Sequence, residues 1–568
     1  MSGTGDLEEL SRMYCAQCEQ TLHPSGCVRA GVCSKNPEVA AIQDAMIYGA
    51  TLLGGFQLEE DHVLILQSIF ATLTNVNFSA VDLRTRFLGP TISRLEALSK
   101  ESPSQAVLDY LPLARRILTE PTDNWIKVCR STLAPDFLTR KYGPTSAGLR
   151  YLTLLGMKGL CAYAEHCYKL LSFNKAPLTE LHDAMKSALT DLHGALFNDD
   201  LITQDLLSHA LGIGKANLSV TALLDRLHAE TLGVPTLCSV PVRMCPGKCV
   251  LITGHDMVDM LLLLTAAQEK GVNVYTHGEM FPAYTYPRLR SFSCFKGHFG
   301  TAWQNQQKEF PLFPGPIVFT SNCLKPPLPS YRDRVFVMDC VGFDGVRVVE
   351  NLDFSEVIDC ALSNIGFESE EHCRSVGEMI TTTGLEAEGF HADEIRGAGF
   401  NHRVLKQPDV LANLVNLIKT GQITCIQFNG GCDGASKDRS VFSKKALQAD
   451  QKTLILTNSC GRFRLNRLQD YGEINGIPRL LDTGQCNDFY SLAQILIDLS
   501  EALGCNLNEL PLQIYVSWFE QKAIVQFLTF LHLGVKNIKL GPSLPLFLTD
   551  EILQFLETNY GVTKIAAA

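Results

Sequence analysis

Positive charge is the scarcer sign in this 568-residue chain: 49 Lys and Arg stand against 60 Asp and Glu, a net charge of −11. No basic stripe interrupts that balance, which argues against a nucleic-acid or membrane-surface partner. Long apolar runs are also missing. The longest, around 257–267, is broken by Asp259 and falls short of the ~20 residues that span a bilayer. The opening MSGTGDLEELSRM has neither the apolar core of a secretory signal nor the Arg-rich face of a transit peptide, so a cytoplasmic, reducing location is expected. Nucleotide signatures are absent as well. No G-x-G-x-x-G opens a helix after a strand, so no NAD or flavin is expected on this chain and electrons must come from a separate donor protein. Residues 209–216 (HALGIGKA) hint at a phosphate loop, but His209 replaces its first glycine and Ala216 its Ser/Thr; the segment is read as a helix break.

With 46% apolar and 19% charged residues the composition is globular. The length exceeds the ~250–300 residues at which one core stops growing, so several domains are expected. From about 37 to 227 the apolar residues recur at helical spacing, as in Leu149, Leu152, Leu155 and Leu160. After Gly233 short β-rich runs alternate with helical patterns: CVLIT, NVYT, PIVFT and RVFVM, then ITCIQF, TLILT, RLLD and QIYVS. That alternation implies mostly parallel sheets. A polar stretch over 366–403 separates the runs into two groups. The expected fold class is therefore multidomain α and α/β. Residues 1–232 would hold a cysteine motif and helical bundles, 233–390 a first α/β domain and 391–568 a second.

Cysteine is abundant: there are 20. In a reducing compartment thiols more often bind metal, do chemistry or fill core gaps than form disulfides. Cys15, Cys18, Cys27 and Cys33 share the spacing C-x2-C-x8-C-x5-C, close enough for four thiolates to meet on one metal centre. Structural zinc and a cubane iron–sulfur cluster both accept four thiolates, and these residues alone do not choose between them.

In open α/β sheets ligands bind beyond the carboxyl ends of strands. There CVLIT leads to His255, NVYT to Glu279, PIVFT to Cys323, ITCIQF to Cys432, TLILT to Cys460, RLLD to Cys486 and QIYVS to Glu520. Soft thiolates select iron–sulfur chemistry, whereas imidazole and carboxylate suit harder, open-site iron. A site carrying both is expected to be asymmetric, with a sulfide-rich side and an oxygen-rich side where substrate can coordinate. Asp256, beside His255, is expected to cap the following helix and to be of little consequence for activity.

Stretches along nearly the whole chain then resemble the hybrid cluster proteins, also called prismane proteins or hydroxylamine reductases: MYCAQCEQT, AYAEH, GHDMVD, YTHGEMFPAY, GTAWQNQQKEFPLFPGPI, SNCLKPP, GGCDGA, GIPRLLDTGQCND and SWFEQKA. The resemblance implies two helical bundles followed by two Rossmann-like domains. It implies a cubane cluster on Cys15, Cys18, Cys27 and Cys33, in the short spacing typical of strict anaerobes. It further implies a hybrid iron–sulfur–oxygen cluster on His255, Glu279, Cys323, Cys432, Cys460, Cys486 and Glu520, with Cys432 as a persulfide. The other twelve cysteines, Cys245 and Cys249 among them, are read as core thiols.

The expected activity is reduction of a small nitrogen oxide, hydroxylamine to ammonia and water or nitric oxide to nitrous oxide, with His255, Glu279, Cys432 and Glu520 as catalytic residues. Two rivals remain. One is a nitric-oxide or redox sensor that modifies partner thiols through Cys432. The other is a carbon monoxide dehydrogenase, against which the hard ligands Glu279 and Glu520 argue.

Overall fold

The computed structural model describes residues 12–21, 26–381 and 393–565. The opening read for targeting signals lies almost wholly outside them, as do 22–25 within the cysteine motif and 382–392 within the polar stretch. Among the described residues no named strand precedes Cys238, and no helix is long and apolar enough to cross a membrane.

The helical part is organised by two 30-residue helices, Pro144–Phe173 and Thr203–Leu232. The first starts with proline directly after Gly143, a placement that suits proline because the first helical N–H has no intrahelical acceptor. Both helices are buried over much of their circumference, since further helices cover them on several sides. One of these comes from the far end of the chain. Helix Gln521–His532 lies against both, and two glycines let it approach: a Cβ at Gly159 would stand 2.5 Å from the Gln521 carbonyl oxygen, and one at Gly214 would stand 2.4 Å from that of Leu528. Gly214 lies in the HALGIGKA segment, which was expected to break the helix. The helix instead runs through it without interruption. Its glycines serve packing, Gly214 against Gln521–His532 and Gly212 against Asp191, and these contacts offset their ~1 kcal/mol propensity cost.

Sixteen strands follow among the described residues. The first group is β1 Cys238–Pro241, β2 Cys249–Thr253, β3 Asn273–His277, β4 Phe295–His298, β5 Ile317–Phe319, β6 Val335–Val337 and β7 Arg347–Val348. The second is β8 Glu394–Ala398, β9 Cys425–Gly431, β10 Thr453–Thr457, β11 Glu473–Ile474, β12 Ile477–Pro478, β13 Leu480–Asp482, β14 Leu512–Ser517, β15 Ile538–Gly541 and β16 Thr563–Lys564. One sheet has the order β4-β3-β2-β5-β6-β7 and is parallel throughout. The larger has the order β1-β8-β13-β10-β9-β14-β15-β16 and is parallel except at β1–β8. All eight β-rich runs of the sequence hold a strand. β2 and β10 are buried at every residue, as parallel strands covered on both faces should be. β1 precedes the smaller sheet in the chain yet pairs with β8 of the larger one, so the two α/β segments share a strand. A single apolar cluster joins the helical part to both sheets, and a second fills the space between the smaller sheet and helix Met257–Lys270.

Candidate functional site

Parallel pairing places the carboxyl ends of β2, β3 and β5 side by side in one sheet, and those of β9, β10, β13 and β14 side by side in the other. The seven strand-end residues follow directly, and the two sets face each other. His255 Nε2 lies 3.1 Å from Cys486 Sγ and 3.7 Å from Glu279 Oε2. The Cys486 N–H donates to the same Glu279 oxygen over 2.9 Å. One ligand atom each from His255, Glu279 and Cys486 lies within 4.8 Å of the other two, and all three residues are buried. Cys432 Sγ stands 3.8 Å from Glu520 Oε1, and Glu520 caps helix Gln521–His532 by accepting the Lys522 N–H at 3.0 Å. Cys323 and Cys460 stand within electrostatic reach of this group: Glu520, Cys432 and Cys460 act on Cys323, and Glu279 and Cys432 act on Cys460.

Burial is the main influence on these groups. It pushes the Cys323, Cys460 and Cys486 thiols well above their usual range and Cys432 up to about 12, and it raises Glu520 despite Lys522 nearby. It holds His255 well below the usual imidazole range, assisted by Lys522 and His166. Thiols in such a place do not ionise unaided, whereas a coordinated cation deprotonates them outright. Neutral His255 keeps a lone pair for a metal, and its Nδ1 meets Ser321 Oγ at 2.9 Å, the kind of contact that orients a ligating imidazole. Soft and hard donors are thus gathered in one dry place, as a mixed-ligand iron–sulfur centre requires.

The N-terminal cysteines form a second group. Cys15 and Cys27 pair as an isolated antiparallel bridge, with N–H to carbonyl distances of 3.1 and 2.9 Å. Burial raises Cys18, and Cys15, Cys33 and Cys27 raise it further; burial also raises Cys33, against the pull of Lys35. Four thiols that oppose each other's ionisation this way suit one shared cation. The loop that carries them leans on the other site: the Glu19 N–H donates to the Phe519 carbonyl at 3.0 Å, and Gln521 Nε2 donates to the Gln17 carbonyl at 2.7 Å. Buried Arg439 fastens the junction, reaching Glu19 at 2.7 Å and the Cys432 carbonyl at 3.1 Å.

The model of the Prismane/CO dehydrogenase family aligns with residues 13–568. The chain belongs to that family. It is 39% identical to the hydroxylamine reductase of Mannheimia succiniciproducens, over 97% of both chains. It is 38% identical to that of Zymomonas mobilis, again over 97% of each. Among solved structures, carbon monoxide dehydrogenase from Thermococcus sp. AM4 matches with a TM-score of 0.51 at 15% identity, covering 99% of this chain and 89% of that one. Carbon monoxide dehydrogenase IV from Carboxydothermus hydrogenoformans matches with 0.52 at 14% identity, covering 98% and 91%. At such identities the likeness is one of fold alone.

Several residues of this prismane-family site carry no strand-end signal. Arg462, fully buried, lies 3.3 Å from Glu279 and 2.8 Å from Asp482. Lys522 is fully buried too, with its Nζ over the Tyr163 ring and no hydrogen-bond partner among the described residues. Asp256 caps its helix as expected, accepting the Val258 and Asp259 N–H groups at 2.9 Å. It makes further contacts that the sequence did not announce. It is buried, its Oδ2 lies 3.1 Å from His166 Nδ1, and Lys169 Nζ stands 3.4 Å from its other oxygen. His166 in turn stacks on His255 with ring centroids 6.2 Å apart. Both His166 and Lys169 sit on helix Pro144–Phe173, in and just after the AYAEH stretch, which offered a signal the strand-end search did not use. Of the twelve remaining cysteines seven are buried; Cys238, Cys245, Cys360, Cys425 and Cys505 are partly exposed, so the core-thiol reading holds for the seven alone.

Proposed function

We propose that the chain is an iron–sulfur oxidoreductase that reduces hydroxylamine to ammonia and water, NH2OH + 2H+ + 2e− → NH3 + H2O. In this reading Cys15, Cys18, Cys27 and Cys33 hold a cubane cluster that receives electrons from a separate donor protein. His255, Glu279, Cys323, Cys432, Cys460, Cys486 and Glu520 hold the hybrid iron–sulfur–oxygen cluster, with a persulfide at Cys432. The observation that carries it is the gathering of His255, Glu279 and Cys486 within 4.8 Å, a donor set that an electron carrier bound by cysteines alone would not need. The two clusters, when bound, supply the electrons and an open iron for the N–O group.

The chain's own groups supply orientation and protons. Arg462 holds one oxygen of the Glu279 carboxylate, while the other accepts the Cys486 N–H and lies toward His255. Lys522 Nζ, unpartnered, can donate to the oxygen that leaves as water. His255, Glu279, Cys432, Cys460, Cys486 and Glu520 are buried, which limits contact with bulk water and strengthens each of these interactions. Nitric oxide fits the same site and is the competing small substrate. The sensor reading is less favoured, because Cys432 is only 8% exposed and a partner protein's thiol could not reach it. Anaerobic turnover with a reduced viologen, hydroxylamine and nitric oxide side by side, tests the proposal. One ammonium formed per hydroxylamine consumed is expected, and protein that contains iron and sulfide but turns over neither substrate would overturn it.

A further inference from the structure

Two lysines are buried beside the N-terminal cysteines, Lys35 at 4% and Lys158 at 2% exposure. Among the described residues neither makes an ion pair. Lys35 Nζ donates to Gln43 Oε1 and Lys158 Nζ to Gln17 Oε1, each at 2.5 Å. A buried ammonium with a neutral amide as its only partner is costly unless an anion stands near. Burial, with Lys35 adding to it, brings Lys158 down to about 7, and the groups opposing this are Cys15, Asp44 and Glu520. Cys15 belongs to one candidate metal site and Glu520 to the other, because Lys158 sits at the seam between them. Its partner Gln17 lies between Cys15 and Cys18 in the chain, and the Gln17 carbonyl accepts Gln521 Nε2 at 2.7 Å, one residue after Glu520. Gln521 is held in turn by Thr74, whose N–H donates to its Oε1 at 3.0 Å.

We infer that Lys158 is a shared counter-cation between the two metal sites that sets the reduction potential of the N-terminal cluster. The inference rests on the reading of Cys15, Cys18, Cys27 and Cys33 as iron–sulfur ligands. Four thiolates around a cubane carry net negative charge, and the one electron received from a reduced donor adds another. That negative charge favours the protonated form of Lys158 over the neutral amine, and the positive charge so held favours the reduced form, because net charge and burial are main determinants of cluster potential. Lys158 thereby acts as a positioning residue: it touches neither substrate nor ligand atoms and works through the field it places on the cluster and, across Gln17 and Gln521, on the Glu520 turn.

The test is a redox titration of the anaerobic full-length protein, followed by the electron paramagnetic resonance signal of the reduced N-terminal cluster. Lys158→Met should shift the midpoint to more negative potential with the line shape unchanged. At the wild-type midpoint the ratio of oxidised to reduced cluster should rise about tenfold, ~59 mV for one electron. Lys158→Arg should restore the wild-type value. Should Lys158→Met fail to assemble, Gln17→Glu places a carboxylate at the ammonium, neutralises it and should give the same shift. An unmoved midpoint in iron-loaded Lys158→Met, or in Gln17→Glu where that variant stands in, overturns the inference. Zinc without sulfide at the four cysteines in the wild-type protein would instead overturn the iron–sulfur reading beneath it.

Discussion

Lys169 is the strongest point at which to perturb the seam between the helical part and the smaller sheet. Its ammonium stands 2.5 Å from Asp259, 2.6 Å from Asp339 and 3.4 Å from Asp256, with only 11% of the side chain exposed. Burial alone would lower its pKa, but these three carboxylates and Glu165 outweigh that and hold it well above the usual range. Lys169→Met leaves the carboxylates facing one another without a cation. Removing one partner of a buried pair costs about 3–5 kcal/mol. At ~2–4 °C per kcal/mol for a domain of this size, the expected fall in unfolding temperature is about 6–20 °C. The loss should depend on pH. Burial, then Asp339, raises folded Glu165 to about 8, against an ordinary value near 4.3. A carboxylate raised in this way binds its proton more tightly when folded, so its contribution to stability is full below ~4 and is lost as pH rises toward 8. Without Lys169 the upward push on Glu165 and Asp259 grows. With Glu165 protonated in both folded proteins at pH 5.5, the deficit of the variant should be smaller there than at pH 9, above the wild-type value of about 8. Calorimetry of the anaerobic protein at the two pH values reads this directly. An unfolding temperature within ~2 °C of wild type at both would refute the charge-cage account.

Four further outcomes are expected. Protein purified anaerobically from iron-replete cells should be brown, with iron and acid-labile sulfide and little zinc; stoichiometric zinc would remove the cubane cluster from the account. Cys432→Ala should abolish turnover and leave the N-terminal cluster's spectrum intact, and mass spectrometry of the oxygen-protected wild type should find one added sulfur on the Cys432 peptide. Asp256→Asn keeps a competent cap. It weakens the contacts to Lys169 and His166, though, and should lower stability by about 1–3 kcal/mol and slow turnover. Exposed Asp123→Asn should change stability by under ~0.5 kcal/mol.

The strands that support the site were legible because they are parallel and mostly buried, so their sequences read as runs rich in β-branched and aliphatic residues. The seven residues after them could be found by looking for metal-ligand types, Cys, His and Glu, in the few positions beyond each strand. Strands β4 (FKGH), β8 (EIRGA) and β15 (IKLG) were not, since each carries charge and glycine and owes its extended form to a neighbouring strand. β1 was missed for a similar reason: it is short, mostly half-buried and ends in proline. Partnerships across long chain separations lie beyond pattern reading. Nothing local to Lys169 announces Asp339, 170 residues away. Nothing local to Lys522 shows that helix Gln521–His532 carries it into the core. The HALGIGKA segment failed in the opposite sense, because glycine's local cost was read without the helix that packs against it.

The central claim is that hard ligands share the site with thiolates, and the most direct measurement is ammonium formation from hydroxylamine by Glu279→Gln and Glu520→Gln. Each exchange keeps side-chain shape and removes ligand charge. The account predicts that both variants keep the N-terminal cluster's spectrum while activity falls by at least ~10–100-fold, the scale on which metal sites respond to a disturbed ligand environment. Full turnover in both, with an unchanged spectrum of the second cluster, would contradict it and leave a cysteine-bound electron carrier as the better description.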